Sequence, residues 1–124
     1  ICECMKGGIK VEHLFKALAD ENRLRIINLL QGEELCVCEI EAIMDTSQSN
    51  VSRHLTKLRN EGIVIFQKKA QWTYYQINPM FIRDNKDLYN YLIGKMNQKE
   101  TFQDDLAQLS LYKEGKIHCG LMAN

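Results

Sequence analysis

The sequence predicts a mainly α-helical domain carrying one β-hairpin, a single unit over residues 1–124. Three observations lead there. Apolar residues recur at helical spacing up to Gly62 and again after Pro79. Between those stretches lie two short runs rich in β-branched and aromatic residues. No internal repeat, low-complexity segment or linker divides the chain.

Composition fits this class. With 45% hydrophobic and 26% charged residues, the chain reads as an ordinary globular protein. No apolar run is long enough to span a bilayer and no signal peptide is visible, so no membrane partner is expected. The chain opens at Ile1 rather than Met, so residues upstream are expected. Five cysteines form an odd set, Cys2, Cys4, Cys36, Cys38 and Cys119, with two pairs separated by one residue. A secreted disulfide framework has an even count and wider spacing, so reduced thiols and a cytoplasmic location are expected.

Val11, Leu14, Phe15 and Leu18 form one face of a first helix. Asp20 is the expected N-cap of a second, broadly apolar helix with Leu24, Ile26, Ile27, Leu29 and Leu30, stopped at Gln31-Gly32. A short third helix begins with the thiols Cys36 and Cys38 and packs Val37 and Ile40. Asp45-Thr46 is a turn, and Ser47 caps a fourth helix. There Val51, Leu55 and Leu58 point inward. At about 100° per residue, Ser49, Arg53, Thr56 and Asn60 project the opposite way. Glu61-Gly62 ends that helix. Residues 63–67 and 72–77 are the hairpin strands, with Lys68-Lys69-Ala70-Gln71 as the tip. Pro79 opens a fifth helix over residues 79–97. It is apolar on two faces, one with Leu88, Tyr91 and Leu92, the other with Tyr89, Ile93 and Met96, which calls for a second subunit. Phe102, Leu106 and Leu109 suggest a weaker sixth helix, and residues 113–124 read as a tail.

Net charge is zero, yet its distribution is uneven. Between Ser47 and Trp72, Arg53, Lys57, Arg59, Lys68 and Lys69 face only Glu61. Between Glu33 and Asp45, five acids stand without a base. Neighbouring segments of opposite sign point to an anionic partner on one side and a cation on the other.

Helix, helix, turn, helix, hairpin, helix is the order of a winged helix-turn-helix, with residues 36–61 as the helix-turn-helix, 63–77 as the wing and 1–10 as a flexible arm. The blocks Leu18-Ala19-Asp20-Glu21-Asn22-Arg23-Leu24-Arg25-Ile26, Glu34-Leu35-Cys36-Val37-Cys38-Glu39-Ile40 and Ser52-Arg53-His54-Leu55 resemble the signatures of the ArsR/SmtB family of metal-responsive repressors. The resemblance covers roughly Val11 to Met96. It implies a homodimer through the first and C-terminal helices, with Leu14, Leu88, Tyr91 and Leu92 at the interface. It also implies a repressor that leaves an inverted-repeat operator when it binds a metal or metalloid.

Thiolates prefer soft ions, here As(III) or Sb(III), or else Cd(II), Pb(II) or Zn(II). Residues two apart on a regular helix point to nearly opposite sides, so Cys36 and Cys38 share an ion only if that first turn is irregular. Outside such a block, a Cys-x-Cys pair is as compatible with small buried hydrophobes. Cys2 and Cys4 repeat the spacing. They resemble the N-terminal cysteines that complete a four-thiolate site in the cadmium-sensing branch. The alternative is two solvated thiols on an arm. His118 and Cys119 are a further pair, better read as part of the tail. Asp84 and Asp87 lack the histidines of the zinc site found in the fifth helix of some members.

For DNA, Gln48, Ser49, Ser52 and Arg53 are suitable types near a helix N-terminus: Gln for adenine, Arg for guanine or phosphate, Ser for either. His54 and Lys57 follow on the same helix, with His54 beside the inward stripe. Lys68, Lys69 and Gln71 are placed for a wing on the backbone. A solvated polar face and a charged hairpin tip are the plain alternatives. Two other functions remain open. One is a repressor of the same fold triggered by disulfide formation. The other is a thiol enzyme or metal chaperone, against which stand the carboxylates around Cys36 and Cys38 and the lack of a catalytic triad or phosphate loop.

Overall fold

Seven helices and three strands are formed by the residues that the computed structural model describes, 10–115. The order is α1 (Val11–Leu18), α2 (Glu21–Leu29), β1 (Leu35–Cys36), α3 (Val37–Met44) and α4 (Gln48–Asn60). Then come β2 (Val64–Lys69), β3 (Trp72–Ile77), α5 (Pro79–Asp84), α6 (Lys86–Met96) and α7 (Glu100–Lys113). This is a winged helix-turn-helix, with α3 and α4 as the two helices of the motif.

Local chemistry sets the boundaries. The Asp20 side chain accepts from Arg23 N–H at 3.2 Å, and Ser47 Oγ from Asn50 N–H at 3.2 Å, each satisfying an orphan donor of its helix. At the end of α4, Gly62 sits at φ 74°. Its N–H donates to the Arg59 carbonyl, and Ile63 N–H reaches back to Leu58 O at 3.0 Å. That paired closure needs a left-handed residue, which glycine adopts without penalty. Asn78 caps α5, with Pro79 in its first turn.

The core runs through the centre of this frame. Ile26, Ile27 and Leu29 of α2 pack with Ile40, Val51, Leu55, Leu58, Ile63 and Val64, all at 0% exposure. Burial of each such side chain contributes roughly 1.5–3 kcal/mol. The fourth-helix reading holds in detail: Val51, Leu55 and Leu58 are buried, while Ser49, Arg53, Thr56 and Asn60 are exposed.

Several expectations need correction. Cys36 is not within the third helix. It is extended (φ −91°, ψ 168°), ends β1 and caps α3. β1 pairs antiparallel with β3, Leu35 opposite Tyr75 and Cys36 opposite Tyr74. The sheet order is therefore β1-β3-β2, with β3 in the middle. The hairpin is tighter than expected: Lys68 and Lys69 belong to β2, opposite Thr73 and Trp72, and only Ala70 and Gln71 form the turn. The helix over 79–97 is two helices. Asn85 breaks it at φ −130°, ψ 42°, and its side-chain amide donates to Phe81 O at 3.1 Å. The sixth helix is neither weak nor peripheral. It is α7, 14 residues long, packed on α2 and α3.

The stripe on α1 also divides. Leu14 is 5% exposed and faces this chain's own core, so the expectation that it meets a partner is corrected. Val11 and Phe15 are the exposed apolar residues of α1, at 65% and 52%. On α6, Tyr91 is 61% exposed, whereas Leu88 and Leu92 are half-buried against the core.

Candidate functional site

A cysteine holds the N-cap position of α3. The Cys36 sulfur accepts from the Glu39 backbone N–H, and the Glu39 carboxylate reaches back to Cys36 N–H at 2.8 Å. This is a capping box with sulfur where serine or threonine usually stands. Cys36 is buried and is a free thiol. Burial pushes that thiol up; the N–H of Glu39 pulls it back, and the Glu39 carboxylate adds to the rise. Ion binding must displace this proton, so affinity rises with pH.

Because Cys36 is extended, the objection that residues two apart on a helix diverge does not apply. Cys36 and Cys38 line one cleft of about 250 Å³ together with Val37, Gln48, Gln71, Trp72 and Thr73. Its walls are thus the thiol turn, the first residue of α4 and the turn and first strand residues of the wing. Cys38 is half-buried, and its sulfur is in a disulfide. Two cysteines lining one cleft are residues of the type a thiophilic ion prefers, once both are reduced thiols. Among the described residues, no cluster of three or more Cys, His, Asp or Glu side chains is placed to hold one. Cys2, Cys4, His118 and Cys119 lie outside the described residues.

Around α4 the candidates are presented unequally. Gln48, Ser49, Arg53 and Lys57 are exposed, and Ser52 is half-buried. Arg53 is steadied by Asn50, whose side-chain oxygen accepts from Nη2 at 3.3 Å. His54 is the exception. At 3% exposure it has no surface to offer DNA, which corrects that expectation. Its Nδ1 lies 3.4 Å from Arg23 Nη1, and Arg23 also donates to the Ala17 and Lys16 carbonyls. His54 therefore ties α4 to the end of α1. Burial, and then the nearby Arg53 and Arg23 charges, hold its imidazole below the usual range against the pull of Asp20.

On the wing, Lys68 and Gln71 are exposed. Lys69 pairs with Glu34, and its ammonium lies 5.4 Å from the Tyr74 ring. Glu34 sits two residues before Cys36. The thiol segment is joined to the wing twice, by the β1–β3 ladder and by this ion pair.

Sequence reasoning missed Glu39, Tyr112, Trp72 and Glu34. Glu39 had a signal, an acid three residues after a cap, masked because cysteine is an unusual cap. Tyr112 had none: its hydroxyl donates to Glu39 Oε2 at 2.6 Å across 73 positions. Burial, and then the Glu39 carboxylate, push that phenol well above its usual range, so it stays a donor.

The model of the bacterial regulatory protein family described as arsR matches residues 20–65, from Asp20 into β2. An arsenic resistance transcriptional regulator of Pseudomonas putida is 46% identical over 67 residues, 53% of this chain and 52% of its own. The chain thus spans about half the length of that relative. A cadmium resistance transcriptional regulatory protein of Listeria innocua is 40% identical over 79 residues, 63% of this chain and 66% of its own. The transcriptional activator HlyU of Vibrio cholerae is 35% identical over 96 residues, 77% of this chain and 89% of its own. Its solved structure superposes with a TM-score of 0.57, covering 65% of this chain and 88% of that one at 36% identity. A homodimeric winged helix-turn-helix domain of Mycobacterium bovis gives 0.59 at 26% identity, over 68% and 79% of the two chains.

Proposed function

The chain belongs to the ArsR family of bacterial transcriptional regulators, and we propose that it is a repressor released from operator DNA when Cys36 and Cys38 bind a thiophilic ion. As(III) or Sb(III) is one candidate class and Cd(II), Pb(II) or Zn(II) the other; the arsenic- and cadmium-resistance regulators among the relatives support both. The observation that carries the reading is the shared cleft: both cysteines, Gln48 of the reading helix and Gln71, Trp72 and Thr73 of the wing line one space. Cys36 and Cys38 would hold the ion through sulfur, and for that the Cys36 sulfur would have to leave its cap on α3, a change that would bear on the end of β1, the wing paired with it and α4.

DNA is contacted by Gln48, Ser49, Ser52 and Arg53 in the groove and by Lys57, Lys68, Lys69 and Gln71 on the backbone. The protein acts as a homodimer on an inverted repeat, with half-sites roughly 34 Å apart. Cys2 or Cys4 supplies further thiolate: three sulfurs suit As(III), four suit Cd(II) or Pb(II). No helix among the described residues is long and apolar enough to cross a membrane.

The test is absorption titration of the reduced protein with arsenite, Cd(II), Pb(II) and Zn(II). Sulfur-to-metal charge-transfer bands lost on replacing Cys36 and Cys38 by Ser support the reading. Bands that survive that replacement place the sensor elsewhere, with Cys119 the next candidate. Release of the operator by oxidant alone, with no ion effective, supports the disulfide-triggered alternative.

A further inference from the structure

Both oxygens of the Glu39 carboxylate are in use. Oε1 accepts from Cys36 N–H at 2.8 Å, and Oε2 accepts from the Tyr112 hydroxyl at 2.6 Å. Tyr112 belongs to α7, which lies beyond the residues matched by the family model. α7 is firmly seated. Arg25 meets Asp105 through two bonds at 2.7 and 2.8 Å, and Asn28 Nδ2 donates to Phe102 O at 3.0 Å. Lys113 pairs with Glu33 at 2.6 Å, on the segment leading into the thiols. The last turn of α7 therefore delivers a donor to the one carboxylate that caps the thiol turn.

We propose that Tyr112 is a positioning residue for ion sensing: through Glu39 it holds the Cys36 turn in its operator-competent shape and so sets the ion concentration at which the protein lets go. This rests on the reading of Cys36 and Cys38 as the sensor. To reach an ion, the Cys36 sulfur leaves the Glu39 N–H. The turn is then redrawn, and the carboxylate no longer meets Cys36 N–H and the Tyr112 hydroxyl together. A ligand shifts a conformational equilibrium only by its differential affinity for the two states. Every contact confined to the ion-free shape therefore subtracts from apparent ion affinity. A hydrogen bond to a carboxylate is among the stronger of such contacts.

The test uses the reduced full chain and the variants Tyr112→Phe, Glu39→Gln and both together. Cd(II) and arsenite are titrated by charge-transfer absorption and by emission of Trp72, the sole tryptophan, which lines the cleft. Operator binding is followed by anisotropy. Tyr112→Phe is expected to bind the ion about tenfold more tightly, the scale of a lost charge-assisted hydrogen bond. It should release the operator at correspondingly less ion, with thiol stoichiometry unchanged and ion-free operator affinity no tighter than the parent's. The double variant should gain no more than the larger single effect, because Glu39→Gln already alters the contact that Tyr112→Phe removes. Should Tyr112→Phe fail to fold, Glu39→Gln carries the same prediction alone. A merely structural hydroxyl would lower the melting temperature and leave ion affinity as in the parent; that result overturns the proposal. A parent that binds neither ion through sulfur overturns the sensor reading first and this one with it.

Discussion

Sulfur is a weaker hydrogen-bond acceptor than a hydroxyl, so Cys36 caps α3 less firmly than serine would. A weak cap is easily vacated, which suits the proposed sensor, whose sulfur would leave the cap to meet an ion. Cys36→Ser should leave stability within about 1 kcal/mol of the parent by thermal unfolding, since serine caps well, while abolishing ion-driven release. His54 makes a second prediction. Its imidazole is held below its ordinary 6.5, with burial the main cause. The unfolded chain takes up that proton first as pH falls. The stability contributed by neutral His54 is therefore present above about pH 6.5 and lost as pH drops through the folded value. A His54→Gln variant should show a flatter decline in urea stability across that window. Lys69 makes a third. It is paired with Glu34 and proposed to meet the DNA backbone, so Glu34→Gln should tighten operator binding a few-fold at low salt. Lys69→Ala should weaken binding to all sequences and reduce the salt slope by about one. Unchanged salt dependence in Lys69→Ala would place the wing away from the backbone.

At the level of elements, legibility followed locality. α4 was readable because its inward stripe, Ser47 cap and Gly62 stop all lie within one stretch of chain. β1 was not. Two residues carry no period, and their strand character comes from Tyr74 and Tyr75 far along the chain. The break between α5 and α6 falls at Asn85, with neither Pro nor Gly to mark it. The thiol pair itself was legible, but its geometry was not, because the extended Cys36 depends on that same strand pairing. α7 was undervalued since its seating rests on Arg25, Asn28 and Glu39, polar partners that no periodicity reveals. The seating is strong: in the Arg25–Asp105 pair the side chains are 20% and 5% exposed. Asp105→Ala leaves Arg25 uncompensated and should cost about 3 kcal/mol in urea unfolding, the low end for breaking a buried pair. A loss under about 1 kcal/mol would mean that solvent screens the pair as it does a surface one.

For the molecule as a whole, Val11 and Phe15 on α1 and Tyr91 on α6 are exposed apolar residues, as are Ile65, Phe66 and Met80 among the described residues, and the first three are the face proposed to meet a second copy. Phe15→Glu should yield monomer in sedimentation at micromolar concentration and lose operator affinity, because one half-site supplies only half of the contacts. Dimer that persists in this variant would move the interface off α1. The central claim is that thiols and DNA-reading surface oppose each other across one cleft. By linkage, an ion that weakens operator binding must itself be weakened by operator to the same factor, typically 5–150-fold. Operator anisotropy, with and without arsenite or Cd(II) under strong reductant, tests this on the parent and on the Cys36→Ser/Cys38→Ser protein. The account predicts ion-driven release of the parent within that range and none for the variant, with ion-free affinities alike. A variant still released by the ion, or a parent that holds its operator with the thiols loaded, would contradict it.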